Sequence, residues 1–130
     1  IATSSGMAAV NTVYLGVLGS GDHMIGHEAL YGPSRAIMES LYPKFKIEST
    51  FVDATDINQV KEAIQPNTKL IFLETPANPT IGITDIAAVC KLAKQKLGRK
   101  IFSALAVFCG FALTMLQVYQ YAFFETAGVD

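Results

Sequence analysis

Lys69-Leu70-Ile71-Phe72-Leu73-Glu74-Thr75-Pro76-Ala77-Asn78-Pro79-Thr80 is the stretch on which the reading of the fold turns. Lys69 to Leu73 is an almost continuous apolar run, the pattern of a strand covered on both faces of a sheet. Pro76 and Pro79 stiffen the segment that leaves it. Glu74 and Asn78 sit at that exit, and in open α/β sheets ligands bind outside the carboxyl ends of the strands. The Asn78 amide can donate to a ring oxygen, and Glu74 can hold a nearby donor. A rigid turn closed by an Asx hydrogen bond accounts for the same residues equally well.

Working outward, helices and strands alternate. Ser4 and Ser5 are N-cap residue types for a helix running towards Leu18, with Gly19 or Gly21 to end it. Asp22 to Gly26 reads as a short strand. Pro33 fits a first helical position, followed by Ile37, Met38 and Leu41 at helical spacing. Ile47 to Val52 alternates and is β-branched, hence a strand. Asp56 and Gln59 have capping-box spacing before a helix whose apolar face is Ile57, Val60 and Ile64. Asp85 caps the next helix, with Ile86, Val89, Cys90, Ala93 and Leu97 as its buried stripe and Gly98 as its stop. Ile101 to Phe108 fits the strand that should follow. Alternation of this kind predicts βαβ units and a mostly parallel sheet with flanking helices.

Composition narrows the function classes. The 130 residues carry a net charge of −1, and their ten basic residues form no stripe interleaved with aromatics, so nucleic-acid binding has no positive support. Cys90 and Cys109 have no framework spacing and read as small hydrophobes in a reducing compartment. No signal peptide precedes the fold, the first residue is Ile, and the chain reads as an internal fragment. His23 and His27 flank a strand without a third ligand, so no metal site is expected. Lys61, Lys91, Lys94 and Lys96 read as solvated helix faces, with none in a setting that would lower an amine's pKa.

From residue 101 to 124 the chain has 24 residues without a charge. That length suffices to span a bilayer as a helix. Lys94, Lys96, Arg99 and Lys100 flank one end, Glu125 and Asp130 the other, and Tyr119 and Tyr121 stand where interfacial aromatics would. Gln117, Gln120 and Gly110 weaken its apolar character. The expected division is residues 1–100 as the α/β part and 101–130 as an apolar tail, packed on the sheet in the first reading and membrane-inserted in the second.

Two further segments carry chemistry. Ser5-Gly6-Met7 opens a helix whose unpaired amides and partial positive charge suit a phosphate, although taken alone it is an ordinary cap. Tyr31, between Leu30 and Gly32, can stack its ring on an aromatic ligand, although taken alone it is a partly buried tyrosine.

In combination, Ser4–Ala9 (SSGMAA), Gly21–Gly32 (GDHMIGHEALYG), Phe51–Asp56 (FVDATD), Pro66–Thr80 (PNTKLIFLETPANPT) and Asp85–Ala93 (DIAAVCKLA) resemble the Cys/Met-metabolism family of pyridoxal-phosphate enzymes. That family includes cystathionine γ-synthase, cystathionine γ-lyase, methionine γ-lyase and the homoserine sulfhydrylases. The resemblance covers Ala2 to about Arg99. It implies an α/β fold, the large domain of the aspartate-aminotransferase type in part. It implies pyridoxal 5'-phosphate as cofactor, with Gly6 and Met7 as backbone donors to its phosphate. Tyr31 is then stacked on the pyridine ring as the catalytic residue of this segment, and Asn78 donates to the ring hydroxyl oxygen with Glu74 close by. It further implies a small amino-acid substrate, a homo-oligomer and a cytoplasmic location.

The departures begin after Lys100. Residues 101–124 contain no aspartate to pair with the pyridine nitrogen, and no Ser-x-Thr-Lys run supplies a Schiff-base lysine. The chain is therefore expected to be a fragment of a γ-elimination or γ-replacement enzyme, a C–S lyase or transferase, inactive alone. The alternative is a non-catalytic remnant, tethered to a membrane through 101–124 or bound to a partner. Which sulfur amino-acid reaction is served is not legible, since the first-half marks are shared.

Overall fold

The structure, a computed structural model, describes residues 2–77, 80–97, 102–107 and 119–123. Five strands make one sheet: β1 (His23–His27), β2 (Glu48–Val52), β3 (Thr68–Glu74), β4 (Phe102–Val107) and β5 (Tyr119–Phe123). Their order is β2-β1-β3-β4-β5. The first four are parallel, and β5 runs antiparallel to β4. The helices are α1 (Gly6–Val17), α2 (Gly32–Ala36), α3 (Ile57–Ala63) and α4 (Ile86–Leu97).

The pleat of β3 divides the core. Leu70 and Phe72 point to one face and pack with Val10 and Tyr14 of α1, Met24, Met38, Tyr42 and Ile47. Ile71 and Leu73 point to the other and pack with Ile25, Val52, Val60 of α3 and Val89, Leu92 and Ala93 of α4. A strand apolar on both sides needs helices on both sides, as the continuous run at Lys69–Leu73 implied. On the α1 face Tyr14 is the keystone. Its ring meets Phe72 and Tyr42 edge-on, with centroids 5.0 and 5.5 Å away. Its hydroxyl donates to Met38 Sδ at 3.5 Å.

Several local expectations are corrected. Helix α1 ends at Val17 because Leu18 turns extended; Gly21, at φ 89°, makes the turn into β1 instead. The helix expected from Pro33 starts at Gly32 and runs only to Ala36 before a π turn over Ile37–Leu41 and a 3-10 turn over Tyr42–Phe45. Asp56 does cap α3, accepting from the Asn58 amide at 2.9 Å. The reciprocal half of the capping box is missing, since Gln59 Oε1 accepts from the Asp53 amide at 3.2 Å. Asp85 caps α4 as expected, accepting from Ala88 N at 2.9 Å. The buried stripe of α4 includes Leu92, while Cys90 and Ile86 are only half-buried.

Beyond Lys100 the described residues form strands. β4 pairs in parallel with β3, in register Leu70↔Phe102 to Glu74↔Ala106, and β5 pairs with β4. The helical alternative for 101–124 has no counterpart in these segments. Among the described residues no helix is long and apolar enough to cross a membrane. Gly98 and Cys109 lie outside the described residues.

Candidate functional site

The strand order places a crevice. β1 lies between β2 and β3, so the chain moves one way from β1 to β2 and the other way from β2 past β1 to β3. The connection leaving β1 goes to α2, on the Tyr14 face; the connection leaving β3 goes to α4, on the opposite face. The two loops therefore part at the carboxyl ends of β1 and β3. Such a switch point is where open α/β sheets hold ligands.

Glu74 is the last residue of β3 and continues the side of Leu70 and Phe72. It is 2% exposed. Its Oε2 accepts a hydrogen bond from the Tyr31 amide at 2.9 Å. Burial raises its pKa above the usual carboxylate range, and the Tyr31 amide opposes that rise. Tyr14 lies in the same environment, its phenol pushed up first by burial, then by Tyr42 and Glu74. Burial also lifts the Tyr42 hydroxyl to about 12; it donates to Asn11 Oδ1 at 3.0 Å.

Tyr31 is the N-cap residue of α2, has no side-chain cap bond, and is 41% exposed. Its carbonyl accepts from Arg35 N at 3.1 Å. The backbone is thus held at both polar atoms while the residue stays exposed.

Helix α1 brings its N-terminus to the same edge. Its 12 residues span ~18 Å at 1.5 Å each, close to the ~17 Å of a five-residue strand, and it runs back along the sheet before β1. Ser34 Oγ of α2 lies 3.8 Å from Met7 Sδ, tying the first turns of the two helices together. Ser5 Oγ accepts from Ala8 N at 3.1 Å, and the Ser5 carbonyl accepts from Ala9 N. The amides of Gly6 and Met7 have no acceptor among the described residues. A helix start with two open amides offers partial positive charge to an anion.

Of the residues picked from the sequence, Tyr31 and Glu74 meet directly, and Met7, next to Gly6, meets Ser34 three residues beyond Tyr31. Asn78 lies outside the described residues. Ser34 and Tyr14, which join the helices to the Glu74 region, were not singled out in the sequence. Ser34 carries a faint signal, three residues after Tyr31 on one helical face; Tyr14 carries none. Lys61, Lys91, Lys94 and Lys96 are exposed. His23 donates and accepts within the sheet, 2.7 Å from Thr68 Oγ1 and 2.9 Å from Thr50 Oγ1. His27 Nδ1 accepts from Ala29 N at 3.3 Å. Among the described residues no three His, Cys, Asp or Glu side chains converge on a common point.

The carboxyl edge of β1 and β3 thus carries an exposed tyrosine whose amide is held by a buried carboxylate, and the nearby start of α1 has two amides without an acceptor among the described residues. Known proteins share the sequence and the fold. A sequence model of the Cys/Met metabolism PLP-dependent enzymes matches residues 1–108. Cystathionine beta-lyase MetC of Bacillus subtilis is 52% identical over 94 residues, which are 72% of this chain and 24% of that protein. An L-methionine gamma-lyase of Fusobacterium nucleatum is 45% identical over 93 residues, with the same shares covered. The crystal structure of metB from Corynebacterium glutamicum superposes with a TM-score of 0.73 at 39% identity, over 84% of this chain and 27% of that one. Cystathionine gamma-lyase from Lactobacillus plantarum complexed with L-serine superposes with a TM-score of 0.72 at 33% identity, over 80% and 32%. The chain spans about a quarter of the length of the curated relatives it matches.

Proposed function

The chain belongs to the Cys/Met metabolism PLP-dependent enzyme family, and on that premise we propose that it is the cofactor-holding segment of a C–S lyase or transferase of sulfur amino-acid metabolism. The observation that carries this is the Tyr31–Glu74 bond at the β1/β3 crevice, next to the open start of α1. In this reading the amides of Gly6 and Met7 hold the cofactor phosphate. The Tyr31 ring lies against the pyridine ring, and its hydroxyl is placed to pass a proton at the substrate carbon. Asn78 donates to the ring hydroxyl oxygen, with Glu74 beside it. When bound, pyridoxal phosphate supplies the electron sink for cleaving bonds at the substrate α-carbon. The substrate is a small sulfur amino acid, and the intact enzyme is a cytoplasmic homo-oligomer.

The 130 residues hold the cofactor without a covalent anchor, because they contain no Ser-x-Thr-Lys run and their described site holds no lysine. Alone they are inactive. The test is titration with pyridoxal phosphate followed by borohydride reduction and peptide mapping. Reversible binding that competes with inorganic phosphate and leaves no lysine stoichiometrically labelled is expected. One lysine labelled at full occupancy would overturn the non-covalent reading, and no competition by phosphate would overturn the role of Gly6 and Met7.

A further inference from the structure

We propose that Glu74 is a positioning residue: its carboxylate acts on the bound ring through the Tyr31 backbone and does not touch the ligand itself. The inference rests on the cofactor reading above and assigns Glu74 a distinct task within it. Three observations carry it. Glu74 is 2% exposed, so its carboxylate is closed to a ligand at the edge, whereas Tyr31 is 41% exposed. Glu74 Oε2 takes the Tyr31 amide at 2.9 Å across 43 residues of sequence. The Tyr31 carbonyl is taken by Arg35 N at 3.1 Å, so Glu74 supplies the second of two anchors on that residue.

The need for the anchor follows from the local sequence. Tyr31 precedes a helix of only five residues with Pro33 near its start, and it makes no side-chain cap bond. A turn this short is marginal by itself. Glu28 of the same loop is tied to Val52 of β2, but without the carboxylate the backbone of Tyr31 itself would be held only from the α2 side. A hydrogen bond from a rigid strand end fixes the height and direction of the Cα–Cβ bond of Tyr31. Ring placement is then a consequence of β3, a strand buried at every position but Lys69. Glu74 keeps this role in either protonation state, since both forms retain an acceptor oxygen.

The experiment uses the full 130-residue chain. Glu74→Met keeps the volume and removes the acceptor; Glu74→Gln keeps both shape and acceptor. Two readouts are taken: hydrogen exchange at the Tyr31 amide, and the affinity for pyridoxal phosphate with Tyr31 present and in a Tyr31→Ala background. Expected are an amide protected in the wild type and in Glu74→Gln, and about tenfold less protected in Glu74→Met. The affinity should fall about three- to tenfold on Glu74→Met when Tyr31 is present, and not further when it is absent. An equal loss in both backgrounds means that Glu74 meets the ligand directly and overturns the inference alone. So does a folded Glu74→Gln chain whose Tyr31 amide exchanges freely, a result that stands even if Glu74→Met does not fold. A wild-type chain that binds no pyridoxal phosphate overturns the cofactor reading and this inference with it.

Discussion

The Tyr31 amide and Glu74 Oε2, 2.9 Å apart, join the end of β3 to the first turn of α2. The carboxylate is buried, and burial raises its pKa above the ordinary value near 4.3. A raised acid binds its proton more readily in the folded state. The associated stability is therefore complete below the ordinary carboxylate pKa and is lost as pH rises through the elevated one. In the Glu74→Gln chain this loss should vanish while the bond to Tyr31 survives. Urea midpoints taken from pH 4 to 8 would check it: wild type and variant should diverge as pH rises, with the variant the more stable at pH 8. Parallel curves would mean that Glu74 ionises without cost.

His23 sets an opposite slope. Burial lowers its pKa, and Glu48 only partly offsets this. A lowered base favours its neutral form when folded. The stability it contributes is full above the unfolded value near 6.5 and is lost as pH falls through the lowered one. His23→Leu should remove that acid-side slope. It should also cost about 1–3 kcal/mol at pH 8, because the Thr50 and Thr68 hydroxyls lose the imidazole between them. The same denaturation series measures both effects. A variant that keeps the acid-side slope would place its origin elsewhere.

What was legible in the sequence was what a single local pattern determines. The apolar run at Lys69–Leu73 required two covered faces, and the caps Ser5, Asp56 and Asp85 required helices after them. Gly6, Met7, Tyr31 and Glu74 were candidates by residue type and edge position, and of these the structure joins Tyr31 to Glu74. What was not legible depended on a partner far along the chain. Gln59 turned to Asp53 and left Asp56 without its reciprocal bond. The π turn at Ile37–Leu41 keeps the helical spacing of Ile37, Met38 and Leu41, so the pattern alone gave no sign of it; it lies where Met38 must fit over Gly26. Tyr14 had no polar motif around it, yet its ring and hydroxyl organise the face below Glu74.

Gly26 illustrates a contact that no periodicity announces. A Cβ there would lie 2.7 Å from Met38 Cε and 3.0 Å from a Phe51 ring carbon. Met38 is fully buried and accepts the Tyr14 hydroxyl, so its methyl cannot simply swing away. The Phe51 ring is held under the Arg35 guanidinium, 4.4 Å from its centroid. Gly26→Ala should therefore cost about 1–2 kcal/mol, overpacking outweighing the entropy that alanine saves in the unfolded chain. The unfolding midpoint measures it. A stabilised variant would show that Met38 and Phe51 yield freely.

The segment after Lys100 gives the last prediction. β3 contributes Leu70, Ile71, Phe72 and Leu73 to the core, all at most 3% exposed. Its outer edge is taken by β4, and β5 follows beyond. Deleting residues 101–130 would leave the amides and carbonyls of the central apolar strand open along that edge. An exposed apolar edge of this kind pairs with other chains. The truncated chain should therefore be less soluble than the full one and should sediment as aggregates at the same concentration. Light scattering and sedimentation after matched expression would check this. The opposite result, a truncation that is more soluble and leaves a membrane fraction, would mean that the tail does not shield β3 and would favour the tether. The two outcomes separate cleanly because edge shielding predicts that β4 alone restores solubility. A chain ending after Phe108 should recover part of the loss, since pairing of 102–107 with β3 closes the edge without β5.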